Sequence, residues 1–83
     1  MSQADAILRV TPDTPVYSQD GQKLGKVAEV RHLAFKVETG LFQKDYWLGA
    51  DAIESAAASE AVMLKVPKKD VPSHRIPEPS KAA

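Results

Sequence analysis

The chain has no cysteine, no asparagine and no long run of apolar residues. The absence of cysteine excludes disulfides, thiolate metal ligands and cysteine nucleophiles, and it fits a reducing compartment. The absence of asparagine excludes an N-glycosylation acceptor. No basic segment leads into an apolar stretch near the amino terminus, so we expect a cytoplasmic protein without a membrane span.

An excess of charge of one sign is also missing. The 11 basic and 11 acidic residues cancel, so no overall field concentrates nucleic acid or anionic lipid around the molecule. A length of 83 residues predicts one small domain with a modest core. We expect a flexible amino terminus over residues 1–6, a β domain over residues 7–71 and a disordered, proline-rich tail over residues 72–83.

Turn signals and alternating apolar residues predict a sheet. Asp20-Gly21 lies between two short apolar stretches and predicts a hairpin. Alternation predicts one core face for each of two strands, formed by Leu33, Phe35 and Val37 in the first and by Val62, Leu64 and Val66 in the second.

The spacing in the second strand differs from regular alternation. Leu24, Val27 and Val30 are three apart, so a β-bulge near Lys26 to Glu29 is needed to bring them to one face. Bulges sharpen bending, and Gly25 suits a sharp bend because it has no Cβ. The fold class that follows is all-β: a small, strongly bent antiparallel β-barrel of five or six strands, with at most one short helical turn.

Two segments are harder to assign. Residues 7–18 are interpreted as an interrupted edge strand, because Pro12 and Pro15 withhold backbone donors. Residues 50–61 are rich in alanine, but Ile53 is their one large apolar residue, so we expect one helical turn around Ala50 to Ile53 followed by a loop.

This pattern resembles the PRC-barrel superfamily. The resemblance is carried by Asp20-Gly21, by Leu24-Gly25-Lys26-Val27 with Val30, by His32 to Glu38, by Trp47 to Ser55 and by Val62 to Val66. It is nearest to stand-alone bacterial members of unknown function. It implies a β-barrel used for protein contacts, with no catalytic residues to carry over.

The residue patterns predict no catalytic site, metal site or cofactor, and no small-molecule substrate. His32 and His74 are isolated and supply too few ligands for a metal ion. Ser18, Ser55 and Ser59 have no nucleophile-elbow motif around them and are interpreted as turn residues. We therefore expect a non-catalytic protein.

A protein-binding patch is predicted around Leu41, Phe42 and Trp47. On a strand Tyr46 and Leu48 point to one face and Trp47 to the other. If one face fills the core, the side chains of the other face are at least partly exposed, unless Trp47 packs at the end of the barrel. Aromatic residues anchor interfaces, so the predicted partner is a protein or a second copy of the chain as a homodimer.

The alternative is an RNA- or ribosome-associated module that uses Lys26, Arg31, Lys36 and Lys44 on one strand face. Glu29 and Glu38 are interleaved with these cations, and a mixed-sign face is the usual way to keep a sheet soluble. The sequence therefore favours a protein partner over nucleic acid.

Overall fold

Seven strands and two short 3₁₀ segments make up the part of the chain that the computed structural model describes, residues 9–40, 44–57 and 60–79. The strands are β1 (Pro15–Tyr17), β2 (Lys23–Arg31), β3 (Ala34–Glu38), β4 (Tyr46–Gly49), β5 (Ile53–Ala57), β6 (Ala61–Leu64) and β7 (Arg75–Ile76). The 3₁₀ segments are Ala50–Ala52 and Lys68–His74. Within these residues no helix is long and apolar enough to cross a bilayer.

The strands form one sheet in the order β5-β6-β1-β2-β3-β4-β7. Neighbours are antiparallel except β1 and β6, which are parallel. The all-β prediction is confirmed, but the described sheet has seven strands instead of five or six and is an open half-barrel with edges at β5 and β7. The sequence predicted too few strands because β5 was interpreted as a loop and β7 as part of a disordered tail.

The predicted bulge lies in β2. Val27 pairs with Val37 and Glu29 pairs with Lys36, which leaves Ala28 as the extra residue. Because of this shift Val27 is fully buried, while Leu24 and Val30 pack half-buried against the same core. The three-residue spacing therefore indicated both the bulge and its position correctly.

Gly25 allows β2 and β3 to approach closely. A Cβ atom placed on Gly25 would lie 2.1 Å from the carbonyl oxygen of Glu38. That distance is far inside van der Waals contact, so any side chain would force the two strands apart.

The concave side of the sheet holds the core. Its fully buried large side chains are Phe35, Leu48, Leu64, Val16, Val27, Val37 and Val62. Val71, from the second 3₁₀ segment, packs on the same cluster, so this segment covers part of the concave side. The alternation of Phe35 with Val37 and of Val62 with Leu64 is confirmed, with Val66 half-buried beside them.

Leu33 departs from the predicted pattern. It lies with His32 in the two-residue connection between the paired Arg31 and Ala34, and it is 58% exposed. The prediction that Leu33 shares the core face is wrong because β3 begins one residue later, at Ala34.

The Asp20-Gly21 turn joins β1 to β2 as predicted. The Ser18 backbone N–H donates to the Gln22 carbonyl at 2.9 Å, and Gly21 has the positive φ of 81° that such turns favour. The buried Ser18 hydroxyl donates to the Asp20 carboxylate and accepts from the Gln22 backbone N–H at 3.2 Å. The hydrogen bond from Ser18 lowers the pKa of Asp20 below its ordinary value, with a smaller contribution in the same direction from the Lys68 backbone N–H.

Three sequence assignments are wrong. The predicted helical turn is present at Ala50–Ala52, but a strand, β5, follows it instead of a loop. The alanine-rich sequence alone does not favour a strand, and pairing with β6 stabilises it. β1 is not an edge strand: it lies between β6 and β2, and Pro15 is tolerated there as the first residue of the strand. The tail is not disordered from residue 72, because β7 pairs with β4. The predictions for residues 1–6 and 80–83 lie outside the described residues.

The close approach at Gly25 predicts the effect of adding one methyl group. Gly25→Ala should lower the free energy of unfolding by about 2 kcal/mol or more, because the new Cβ meets backbone that cannot move without opening the sheet. Gly40→Ala is the matched control, since Gly40 has a similar φ, +150° against +159°, and no atom of the described residues lies within 4 Å of its added Cβ. Denaturant unfolding followed by Trp47 fluorescence measures both, and equal losses would contradict the account.

The Asp20 turn predicts a pH-dependent contribution to stability. A carboxyl group with a lowered folded-state pKa stabilises the fold above its unfolded pKa, about 4, and this stabilisation is lost as the pH falls through the folded value. Asp20→Asn should therefore be less stable than the native chain at pH 7, and the difference should disappear in acid. Denaturant unfolding of both chains from pH 7 to pH 2 measures this difference, and a difference that stays constant over that range would contradict the role of the Asp20 carboxylate.

Candidate functional site

Trp47 is buried on the outer face of the sheet, away from the core. Tyr46 and Leu48 point into the core cluster, whereas Trp47 is 5% exposed without belonging to that cluster. Its cross-strand neighbours are Lys36 on β3 and Ile76 on β7. The predicted alternation along β4 is confirmed, and both faces of this strand are covered.

Arg31 lies over Trp47. The guanidinium carbon is 5.0 Å from the centre of the indole ring, a cation–π distance. The Arg31 Nε donates to Glu29 Oε2 at 2.9 Å, and Nη1 donates to Glu78 Oε2 at 3.2 Å and to the Pro79 carbonyl at 2.8 Å. The hydrogen bonds that Arg31 donates to Glu29 and then to Glu78 raise the pKa of Arg31 above its ordinary value. Arg31 therefore holds the carboxy-terminal segment against the outer face.

Residues 75–79, which we call the strap, cover Trp47 from the side of β7. The strap pairs with β4 through two residues only, Arg75 and Ile76. Ile76 is 38% exposed although it lies in register with Trp47. We expect low local stability for this cover, because it is an exposed two-residue strand and the described strap has one ion pair, between Glu78 and Arg31.

The predicted protein-binding residues have different outcomes. Leu41 and Phe42 lie outside the described residues. Trp47 is described, and of the two alternatives that the sequence left open, an exposed indole or a packed one, the structure has the packed one, because Arg31 and the strap cover it. Sequence reasoning missed the cover because nothing in a proline-rich tail indicates a strand.

Three of the four cations of the alternative RNA site, Lys26, Arg31 and Lys36, lie on β2 and β3, and all three are paired with carboxylates. Lys26 Nζ is 3.6 Å from Asp13 Oδ1, and Lys36 Nζ is 3.9 Å from Asp45 Oδ2. Arg31 contacts Glu29 and Glu78. Lys44 is exposed just before β4. The face is of mixed sign, which weakens attraction for phosphates.

A cleft of about 310 Å³ lies on the other side of β4 from Trp47. Its walls are formed by Lys23, Leu24, Thr39, Tyr46, Lys68, Val71, Pro72 and Arg75. The Arg75 guanidinium carbon is 4.3 Å from the centre of the Tyr46 ring. Burial raises the pKa of Tyr46, and the Arg75 charge acts in the opposite direction. Sequence reasoning missed this cleft as well, since it forms only when residues 68–75 fold back over β4.

The described residues contain no cluster of three or more histidine, aspartate or glutamate side chains that could hold a metal ion. Among the described residues, the strongest candidates for a functional site are the outer face around Trp47 and the cleft beside Tyr46.

Removing the strap should expose Trp47 without unfolding the sheet. A chain that ends at His74 keeps every core residue of the described sheet, since the last of them is Val71. We expect a cooperative unfolding transition and β-type circular dichroism to remain, while Trp47 emission moves to longer wavelength and acrylamide quenches it more strongly. Trp47 is the one tryptophan in the chain, so the signal is specific. Unchanged emission would show that the strap does not cover the indole.

Comparison of the chain with known proteins provides no relative on which to map this site. No family model, no curated protein and no solved structure matches it. The outer face and the cleft are therefore interpreted from their own residues.

Proposed function

We propose that this chain is a non-catalytic protein-interaction module and that its binding surface is the outer face around Trp47. The observation that carries the proposal is a buried tryptophan outside the core, stacked under Arg31 and covered by a strap of two paired residues. Tryptophan and arginine are the residue types that most often dominate binding energy when a partner buries them. A weakly held cover keeps such a surface shielded until a partner replaces it.

The proposed mode of binding is strand addition at β4. When the strap leaves, the β4 backbone loses its pairing with Arg75 and Ile76 and can pair with an extended segment of a partner. The strap itself indicates the chemistry that fits: an apolar side chain beside Trp47, as Ile76 is, and an acidic side chain two residues later at Arg31, as Glu78 is. The partner we propose is a protein that presents such an apolar and acidic extended segment.

The wider identity of the chain is part of the same proposal. Membership of the PRC-barrel superfamily is supported by the bulged β2 and by the bent sheet around it. Leu41 and Phe42 precede β4 along the chain and are kept as candidate contributors to the surface. A cytoplasmic location is supported by the absence of cysteine.

The test compares two variants that lose the same charge. The tagged full chain, Arg31→Gln and Lys44→Gln are used to capture proteins from the native lysate with and without nuclease. We expect a nuclease-resistant protein to be retained by the native chain and by Lys44→Gln and to be lost from Arg31→Gln, because Arg31 lies over Trp47 and Lys44 does not.

A peptide competitor sharpens this test. A synthetic peptide of residues 73–79 in excess should release the captured protein, and the same peptide with Glu78→Gln should release less of it. Recovery of ribosomal material that nuclease removes, and that Arg31→Gln and Lys44→Gln both bind more weakly, would contradict the proposal and favour the RNA-associated function. Capture of a second copy of the chain would identify the partner as the protein itself. Light scattering would then show a homodimer in solution.

A further inference from the structure

The cleft beside Tyr46 is separate from the outer face. Tyr46 and Trp47 are adjacent on β4 and point to opposite sides of the sheet, so the cleft and the outer face lie on opposite sides of β4, and Arg75 of the strap lines the cleft. Its volume of about 310 Å³ is at the lower end of the range for small-molecule sites.

The charged residues of the cleft are all cationic. Lys23, Lys68 and Arg75 contribute to its walls, and no carboxylate is among its lining residues. The three come from distant parts of the sequence, since Lys23 begins β2, Lys68 begins the second 3₁₀ segment and Arg75 begins β7. Convergence of three cations in a chain of zero net charge leaves a local positive potential that an anion can occupy.

Two polar groups at this site are available to bind a ligand, the Arg75 guanidinium and the Thr39 hydroxyl. The stacking of Arg75 on the Tyr46 ring fixes the guanidinium plane beside the cleft. Thr39 also lines the cleft, and its Oγ1 is buried with no hydrogen-bond partner among the described residues. A buried hydroxyl without a partner in a native fold is often satisfied by a water or a ligand.

Two acidic side chains lie beside the cleft: Asp20, whose charge also interacts with Lys68, and Glu38. Asp20 accepts hydrogen bonds from the Ser18 hydroxyl and from the Lys68 backbone N–H at 3.3 Å, so it belongs to the β1–β2 turn. Glu38 lines a neighbouring, shallower cleft together with Lys26. The remaining walls of the main cleft are apolar, formed by Leu24, Val71 and Pro72.

We propose that this cleft is a binding site for a small organic anion. The charged group, a phosphate or a carboxylate, lies between Lys23, Lys68 and Arg75, and the apolar part of the ligand packs on Leu24, Val71 and Pro72. Arginine and lysine together provide the charge-assisted hydrogen bonds that such a group accepts.

The test is a titration of the isotope-labelled full chain followed by amide chemical shifts. The probes are phenyl phosphate, benzoate and benzyl alcohol, which share an aromatic ring and differ in charge. We expect saturable shifts for at least one of the two anions at the cleft residues, and no saturable shifts with the neutral alcohol. The anion that saturates at lower concentration identifies the charged group as phosphate or carboxylate.

Two neighbouring lysines provide the matched variants. Lys68 lines the cleft and Lys69, also exposed, does not. Lys68→Gln should weaken anion binding roughly tenfold, because it removes one charge-assisted contact, whereas Lys69→Gln should leave it unchanged. Trp47 emission shows whether Lys68→Gln alters the fold. If it does, Lys23→Gln is the second variant and should weaken anion binding in the same way.

Equal weakening by Lys68→Gln and Lys69→Gln, shifts spread over all lysines, or no saturation with either anion would overturn the proposal. Lys68 belongs neither to the strap nor to the outer face around Trp47, so Lys68→Gln should leave protein capture unchanged. Failure of the anion site can therefore be told from failure of the proposed protein-binding function.

Discussion

The close approach of β2 to β3 at Gly25 is the constraint on which the fold depends. Only a residue without a Cβ can lie against the Glu38 carbonyl, and three residues later the bulge at Ala28 changes which side chains face inward. Together they bend β2 so that Val27 is fully buried between the two halves of one sheet. A small chain can then enclose a core with a single sheet, and the second 3₁₀ segment covers part of the concave side through Val71.

An open sheet leaves edges, and the edge strand β7, which pairs with β4 over two residues, links the fold to the proposed function. β4 is buried on both faces, by the core at Leu48 and by Arg31 at Trp47, yet its outer edge is paired over two residues only. Edge strands are where extended segments of other proteins most readily add to a sheet. The same carboxy-terminal segment supplies Pro72 and Arg75 to the cleft, so one short piece of chain forms part of both candidate sites.

The sequence predicted the parts of the fold that local patterns determine. Alternation around Phe35 and Val62, the Asp20-Gly21 turn and the bulge all follow from the spacing of apolar residues and from turn chemistry. β5 and β7 could not be predicted in this way, because their alanine-rich and proline-rich sequences favour no strand and a partner strand supplies the stabilisation. The cover over Trp47 and the cleft were missed for the same reason, since both depend on contacts between residues far apart in the sequence.

Amide hydrogen exchange of the full chain, read residue by residue, tests most directly whether the strap is a cover that opens. We expect the amides of the β4–β7 pairing and the Trp47 indole N–H to exchange by local opening. Their exchange should be much faster than that of the Val27 and Phe35 amides in the centre of the sheet. Exchange of both groups at one common rate, through global unfolding alone, would show that the strap is an integral part of the fold and would contradict its role as a displaceable cover.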